Sequence, residues 1–139
     1  MTKYEEKVKQ FHKVMNLPVN SQFNVELLQL RKKLILEETQ ELIAELDYAI
    51  NQLQTKDKSV LRPTFENMCK EMADVQYALS GLAISFGLPI EEAFDATHNR
   101  NMSKLGNDGK PVYREDGKIT KGPNYHKPDL SNLIQKVEE

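Results

Sequence analysis

The chain has 139 residues, of which 39% are hydrophobic and 29% charged, and its formal net charge is −2. That length fits one domain over residues 1–139 with no second core. No apolar run approaches the roughly 18 residues of a membrane span, and the near-neutral balance argues against a nucleic-acid polymer as partner.

A single cysteine, Cys69, excludes an internal disulfide, no CxxC or His/Cys pair is present to hold zinc, and MTKYEEKVKQ lacks the apolar stretch of a signal peptide. A reducing cytoplasm is the expected compartment. Tyr4, Val8, Phe11 and Met15 recur at helical spacing, which predicts an amphipathic helix over residues 2–16, stopped by Leu17-Pro18. His12 falls beside its apolar face and reads as a core-edge residue. A polar loop follows, in which Ser21 or Asn24 can cap the next helix.

The second helix should run from Asn24 to Gln54, whole or broken, about 45 Å if continuous. Its apolar sector is wide, from Ala49 round to Ile43 and Leu36. One or two neighbours in the same chain would not cover it, so a homodimer or homotetramer is expected. Residues 36–53 carry Glu37, Glu38, Glu41, Glu45 and Asp47 and no Lys or Arg. At 100° per residue, Glu38, Glu41 and Glu45 continue the stripe of Leu27 and Leu34, while Ile35, Leu42, Leu46, Ala49 and Leu53 fill the strip beside it. Like charges at these spacings cost folding about 0.2–0.5 kcal/mol per exposed pair, so a cation is expected to sit among them.

Residues 55–59 read as a loop, and Pro63 suits the first turn of a third helix reaching Phe86. Its stripe is Phe65, Met68, Met72, Val75, Leu79, Leu82, Ala83 and Phe86, with Glu71 and Asp74 on one border. A fourth helix should start at Pro89 and end near Leu105, with Gly106 as its stop. The helical part thus spans 2–105. The remaining 106–139 form an irregular basic tail with a small hairpin around Asp116-Gly117, and Leu130, Leu133, Ile134 and Val137 allow a short closing helix. The expected fold is all-α, an antiparallel four-helix bundle completed by oligomerisation.

Two successive helices each offer carboxylates at i,i+3: Glu38 with Glu41, and Glu71 with Asp74. One ExxE alone is what a solvated helix face looks like. Two, both bordering apolar stripes on helices that can pack antiparallel, can converge on one or two hard cations, with oxygen-only ligation suited to Mg²⁺ or Mn²⁺. A di-iron bundle would need a Glu-x-x-His on each of two helices, and only Asp95-x-x-His98 comes near.

EETQE at 37–41, EMAD at 71–74 and NMSKLGNDG at 101–109 resemble the MazG-like all-α nucleoside triphosphate pyrophosphohydrolases, a superfamily with dimeric dUTPases and phosphoribosyl-ATP pyrophosphohydrolase. The resemblance spans about Phe11 to Leu130. It implies that Glu38, Glu41, Glu71 and Asp74 are metal ligands, that Glu37 is the first motif glutamate, and that Asn101 and Lys104 contact the nucleotide. The 29 residues between Glu41 and Glu71 imply a longer loop than compact members have.

The implied reaction is Mg²⁺-dependent cleavage of a (d)NTP to the monophosphate and pyrophosphate, as nucleotide-pool house-cleaning. Glu38 would contact the attacking water, and Glu37 or Glu45, near the pairs without belonging to them, could take its proton. Arg100, Lys118 and Lys121 join Lys104 as candidates for phosphate charge. The alternatives are phosphoribosyl-ATP as substrate, or a non-enzymatic helical dimerisation module whose acidic helix binds a basic partner.

Overall fold

The computed structural model describes residues 1–55 and 61–133. Most of the predicted loop at 55–59 lies outside the described residues, as do Ile134 and Val137 of the predicted closing helix. The chain divides into two compact units, Met1–Leu88 and Pro89–Glu139. It is mostly helical, so the all-α expectation holds. No helix among the described residues is long and apolar enough to cross a membrane.

The first unit holds α1 (Lys3–Val14), α2 (Val25–Gln54) and α3 (Leu61–Phe86). Thr2 caps α1 in a reciprocal box with Glu5, whose carboxylate is consequently tolerated at 3% exposure. Asn24, the second of the two proposed caps, starts α2 by accepting from the Leu27 N–H at 2.9 Å. From there α2 runs unbroken for 30 residues. The α1–α2 linker closes the end of α3: the Asn20 and Ser21 amides donate to the Ile84 and Ser85 carbonyls at 3.0 and 2.7 Å. Phe23 lies against Phe86, ring centroids 5.0 Å apart. These bonds satisfy carbonyls that a helix C-terminus otherwise leaves unpaired.

Packing joins α2 to α3 and α1 to α3. The buried side chains among the described residues are few: Val8, Leu27, Ala83, Ile84 and Phe86, with the polar Glu5, His12, Arg31, Thr64, Ser80 and Ser85. Two expectations need correction. His12, read as a core-edge residue, is 2% exposed, because α1 meets α3 where α3 presents Ser80, Gly81 and Ala83 and can be approached closely. The expected apolar stripe of α3 is only partly covered in the chain: Ala83 and Phe86 are buried and Met68, Val75 and Leu82 half-buried, but Phe65, Met72 and Leu79 are exposed, as are Leu36, Ile43, Ile50 and Leu53 of α2.

The second unit holds α4 (Ile90–Met102) and a two-stranded hairpin, β1 (Val112–Tyr113) with β2 (Ile119–Thr120), antiparallel with Val112 opposite Thr120. The hairpin turns where expected, with Gly117 at φ 82°. The fourth helix ends earlier than expected. Ser103 caps it, its hydroxyl donating to the Arg100 carbonyl at 2.6 Å, so Lys104 lies beyond the helix and Gly106 is not its stop. The tail folds back on this turn: the Gly122 amide donates to the Lys104 carbonyl at 2.8 Å, and a side chain at Gly122 would bring Cβ within 2.3 Å of the Leu105 carbonyl oxygen.

Candidate functional site

Antiparallel packing of α2 on α3 sets Glu38 and Glu41 against Asp74 and Glu71. One carboxylate oxygen from each of the four lies within 4.8 Å of all the others. Each pair sits at i,i+3, so a single helix face delivers both members. The Glu71 side chain is only 12% exposed. One oxygen each of Glu38 and Glu71 is buried without a hydrogen-bond partner. The Glu41 carboxyl is held above the usual carboxylate range, first by the charge of Glu38, then by desolvation, then by Glu71. Unsatisfied buried carboxylate oxygens and mutual repulsion are what an all-oxygen site for a hard divalent cation presents, so this donor set fits one.

A cation that the sequence reading did not assign touches half of the cluster. The Lys70 ammonium donates to Glu71 at 3.2 Å and Asp74 at 3.0 Å, which raises its pKa, Asp74 contributing most. Its side chain is largely exposed, so water and salt screen both ion pairs.

The other expected site residues distribute as follows. Glu37 is exposed and pairs with Lys33 across one turn at 4.0 Å, outside the cluster. Glu45, one turn beyond Glu41, is half-buried with one oxygen buried and unpartnered. Arg100, Asn101, Lys104, Lys118 and Lys121 all belong to the second unit. Arg100 is half-buried with an unpartnered Nε, Asn101 is exposed in the last turn of α4, and Lys104 is half-buried in the turn that follows. Lys118 is exposed beside the hairpin turn, and the Lys121 ammonium stands 4.5 Å from the Tyr125 ring centroid.

Two residues went unread as site residues. Seven positions before Glu38 and seven after Asp74, the same antiparallel register brings Arg31 against Gly81: a Cβ on Gly81 would lie 2.9 Å from Arg31 Nη1 and 3.7 Å from His12 Nε2. Arg31 is 5% exposed, its Nε lacks a hydrogen-bond partner, and among the described residues it forms no ion pair. Burial presses its pKa down, yet a guanidinium stays charged in proteins. His12 Nδ1 lies 2.8 Å from the Pro18 carbonyl oxygen, to which it donates as N–H. Burial, opposed by that bond, and the charge of Arg31 lower its pKa, so the ring is neutral and Nε2 keeps its lone pair.

Both residues line a cavity of about 280 Å³ that reaches Glu38 and Asp74 at the cluster. Phe11 and Tyr77, edge-on with centroids 5.6 Å apart, form part of its wall. The signal for Arg31 was its place on the stripe of Leu27, Leu34 and Glu38, where a basic residue reads as a flank until its opposite number is known.

Residues 8–101 match the phosphoribosyl-ATP pyrophosphohydrolase family. The matched span contains the four clustered carboxylates and Arg31, and ends at Asn101. No curated protein matches the chain.

Proposed function

The chain belongs to the phosphoribosyl-ATP pyrophosphohydrolase family of the MazG-like all-α superfamily, and from that premise we propose that it is a Mg²⁺-dependent nucleoside triphosphate pyrophosphohydrolase. Its reaction would cleave the α–β phosphoanhydride of a (d)NTP, water adding to the α-phosphorus and pyrophosphate leaving, in the manner of nucleotide-pool house-cleaning. The observation that carries the reading is the convergence of four carboxylate oxygens within 4.8 Å on two antiparallel helices.

Glu38, Glu41, Glu71 and Asp74 are the residues that would hold Mg²⁺, with Mn²⁺ as the alternative. A divalent cation there would polarise phosphate oxygens and lower the pKa of water. Of the two candidate bases, Glu45 is the better placed: it has a buried, unpartnered oxygen on the helix that carries Glu38 and Glu41, whereas Glu37 is turned outward to Lys33. Glu45 would accept the proton of the attacking water, and Glu38 would orient that water. Asn101 and Lys104, with Arg100, Lys118 and Lys121, remain the proposed contacts to nucleotide and phosphates. The exposed apolar faces of α2 and α3 support a homodimer or homotetramer. The free, exposed Cys69 is in keeping with a cytoplasmic setting.

A second reading takes phosphoribosyl-ATP as the substrate, favoured by the family match itself. It uses the same carboxylates and the same bond. Incubating the protein with NTPs, dNTPs and phosphoribosyl-ATP, with Mg²⁺ or with chelator, separates the two. The expected result is monophosphate plus pyrophosphate, lost with chelator. Release of inorganic phosphate alone would move attack to the γ-phosphorus and overturn the reading. Absence of turnover, with no rise in Tm on adding Mg²⁺, would favour a helical binding module.

A further inference from the structure

A buried guanidinium with no anion among the described residues is an expensive element in a small core. Even a buried ion pair can often be replaced by well-packed apolar groups with no loss of stability, and a lone buried charge lacks the pair's compensation. At the same point α3 carries glycine inside a helix, a residue that itself weakens the helix, and the Arg31 guanidinium lies where a side chain would otherwise stand. Folding alone accounts for neither choice. Both are accounted for if the cavity is completed by a ligand that supplies what Arg31 lacks.

Distance decides which part of a nucleotide that is. Seven residues of helix separate Arg31 from Glu38, about 10 Å along the axis, and both side chains lean the same way, so the separation persists at their ends. Phosphates gathered at the cluster therefore leave Arg31 to the far end of the substrate. The cavity there is lined by Phe11 and Tyr77 together with Leu17, Leu30 and Leu34, an apolar wall that suits a flat heterocycle. Besides Glu38 and Asp74 at the cluster and the Tyr77 hydroxyl, its polar groups are a charged N–H donor, Arg31, beside a neutral ring-nitrogen acceptor, His12 Nε2.

The geometry points to a base-reading pocket in which Arg31 donates to a base carbonyl and His12 accepts the adjacent ring N–H, selecting nucleotides with a lactam edge over those with an amino edge. This rests on the nucleotide-hydrolase reading above and names its substrate class. A carbonyl oxygen projects from the ring and has two lone pairs for a forked guanidinium. The ring nitrogen of an amino-substituted base has one, recessed beside an N–H₂ group. An amino group in the carbonyl's place sets N–H against N–H and leaves the buried charge unpaired, and that unpaired group is the source of discrimination.

Matched substrates test this, because dUTP and dCTP, like dITP and dATP, differ at this edge alone. With Mg²⁺ and pyrophosphate release as the readout, kcat/KM should favour the lactam member of at least one pair by about 10- to 100-fold. In Arg31→Met the lactam member should fall most, so that the ratio collapses toward unity, while Mg²⁺ still raises the Tm and shows the fold and cluster intact. His12→Gln, whose side-chain carbonyl replaces the Nε2 acceptor, should keep more of the preference than His12→Leu. Turnover without lactam preference, or a preference that survives Arg31→Met, overturns the pocket and leaves the hydrolase standing. Failure to turn over any nucleotide overturns both.

Discussion

Gly81→Ala should make the protein more stable and a poorer enzyme. The new Cβ would lie 2.9 Å from Arg31 Nη1, closer than such atoms approach, while its next neighbours stand at 3.7 Å. What must give is the end of a long side chain, so the guanidinium withdraws and the backbone stays. Against that small cost, alanine in a helix interior is better than glycine by about 0.5–1 kcal/mol. For a 139-residue chain unfolding with about 2 cal/mol/K per residue, such a gain raises Tm by about 2–3 °C. The displaced guanidinium should meanwhile cost about tenfold in kcat/KM on the preferred nucleotide, since a misplaced donor loses much of a directed hydrogen bond. Calorimetry at fixed protein concentration with chelator, alongside pyrophosphate release with Mg²⁺, reads both. A loss of stability above about 1 kcal/mol would show that Arg31 cannot yield; unchanged kcat/KM would show that the glycine serves no substrate.

Three further outcomes are expected. Glu38→Gln and Glu71→Gln should each lower kcat/KM by roughly a thousandfold or more and abolish the Mg²⁺-induced rise in Tm; pyrophosphate assays and thermal melts check this, and an active variant would remove that residue from the cation set. Lys70→Met should tighten Mg²⁺ binding by no more than about fivefold in titration calorimetry, because an exposed ammonium is only a modest competitor for Glu71 and Asp74; weaker binding would mean that Lys70 organises the cluster. Because His12 has a lowered pKa in the fold, the unfolded chain takes up a proton at pH values where the native protein does not. The His12 contribution to stability should therefore be level well above pH 6.5 and decline as pH falls through 6.5 toward the folded value. In His12→Asn, which keeps an N–H donor for the Pro18 carbonyl, urea midpoints should lose that decline, and an unchanged slope would place the titration elsewhere.

Periodicity carried the helices of the first unit well, because their apolar positions recur at helical spacing and some boundaries are recognisable: Asn24 as a cap, Leu17-Pro18 as a stop, whereas the Thr2 cap of α1 went unread. The carboxylate cluster was legible for a related reason, since i,i+3 pairs on successive helices need only antiparallel packing to meet. Lys70 escaped attention because its neighbours at one and four positions, Glu71 and Asp74, were read as a pair awaiting an external cation. The buried face of α3 was misjudged at Phe65, Met72 and Leu79 because large apolar residues announce themselves, whereas Ser80, Gly81 and Ser85 are buried for their smallness and leave no hydrophobic signal. Arg31 becomes meaningful only opposite Gly81, and that pairing is a property of two helices in register. The end of α4 shifted by three residues because Ser103 hydrogen-bonds back to Arg100, a local competition that helix-length patterns do not register.

The linker between α1 and α2 carries both an anchor and a seal: Pro18 orients His12, and two residues later Asn20 begins the bonds that close α3. Such a segment cannot change length freely. One residue gained or lost between Leu17 and Asn24 would move the Pro18 carbonyl away from the imidazole or the Asn20 amide away from Ile84, tilting α1 and altering the depth of the cavity while every carboxylate stays in place. Evolution could therefore retune what such a scaffold recognises by insertion or deletion in a stretch of which Leu17 alone lines the cavity, and comparisons confined to pocket residues would overlook the cause.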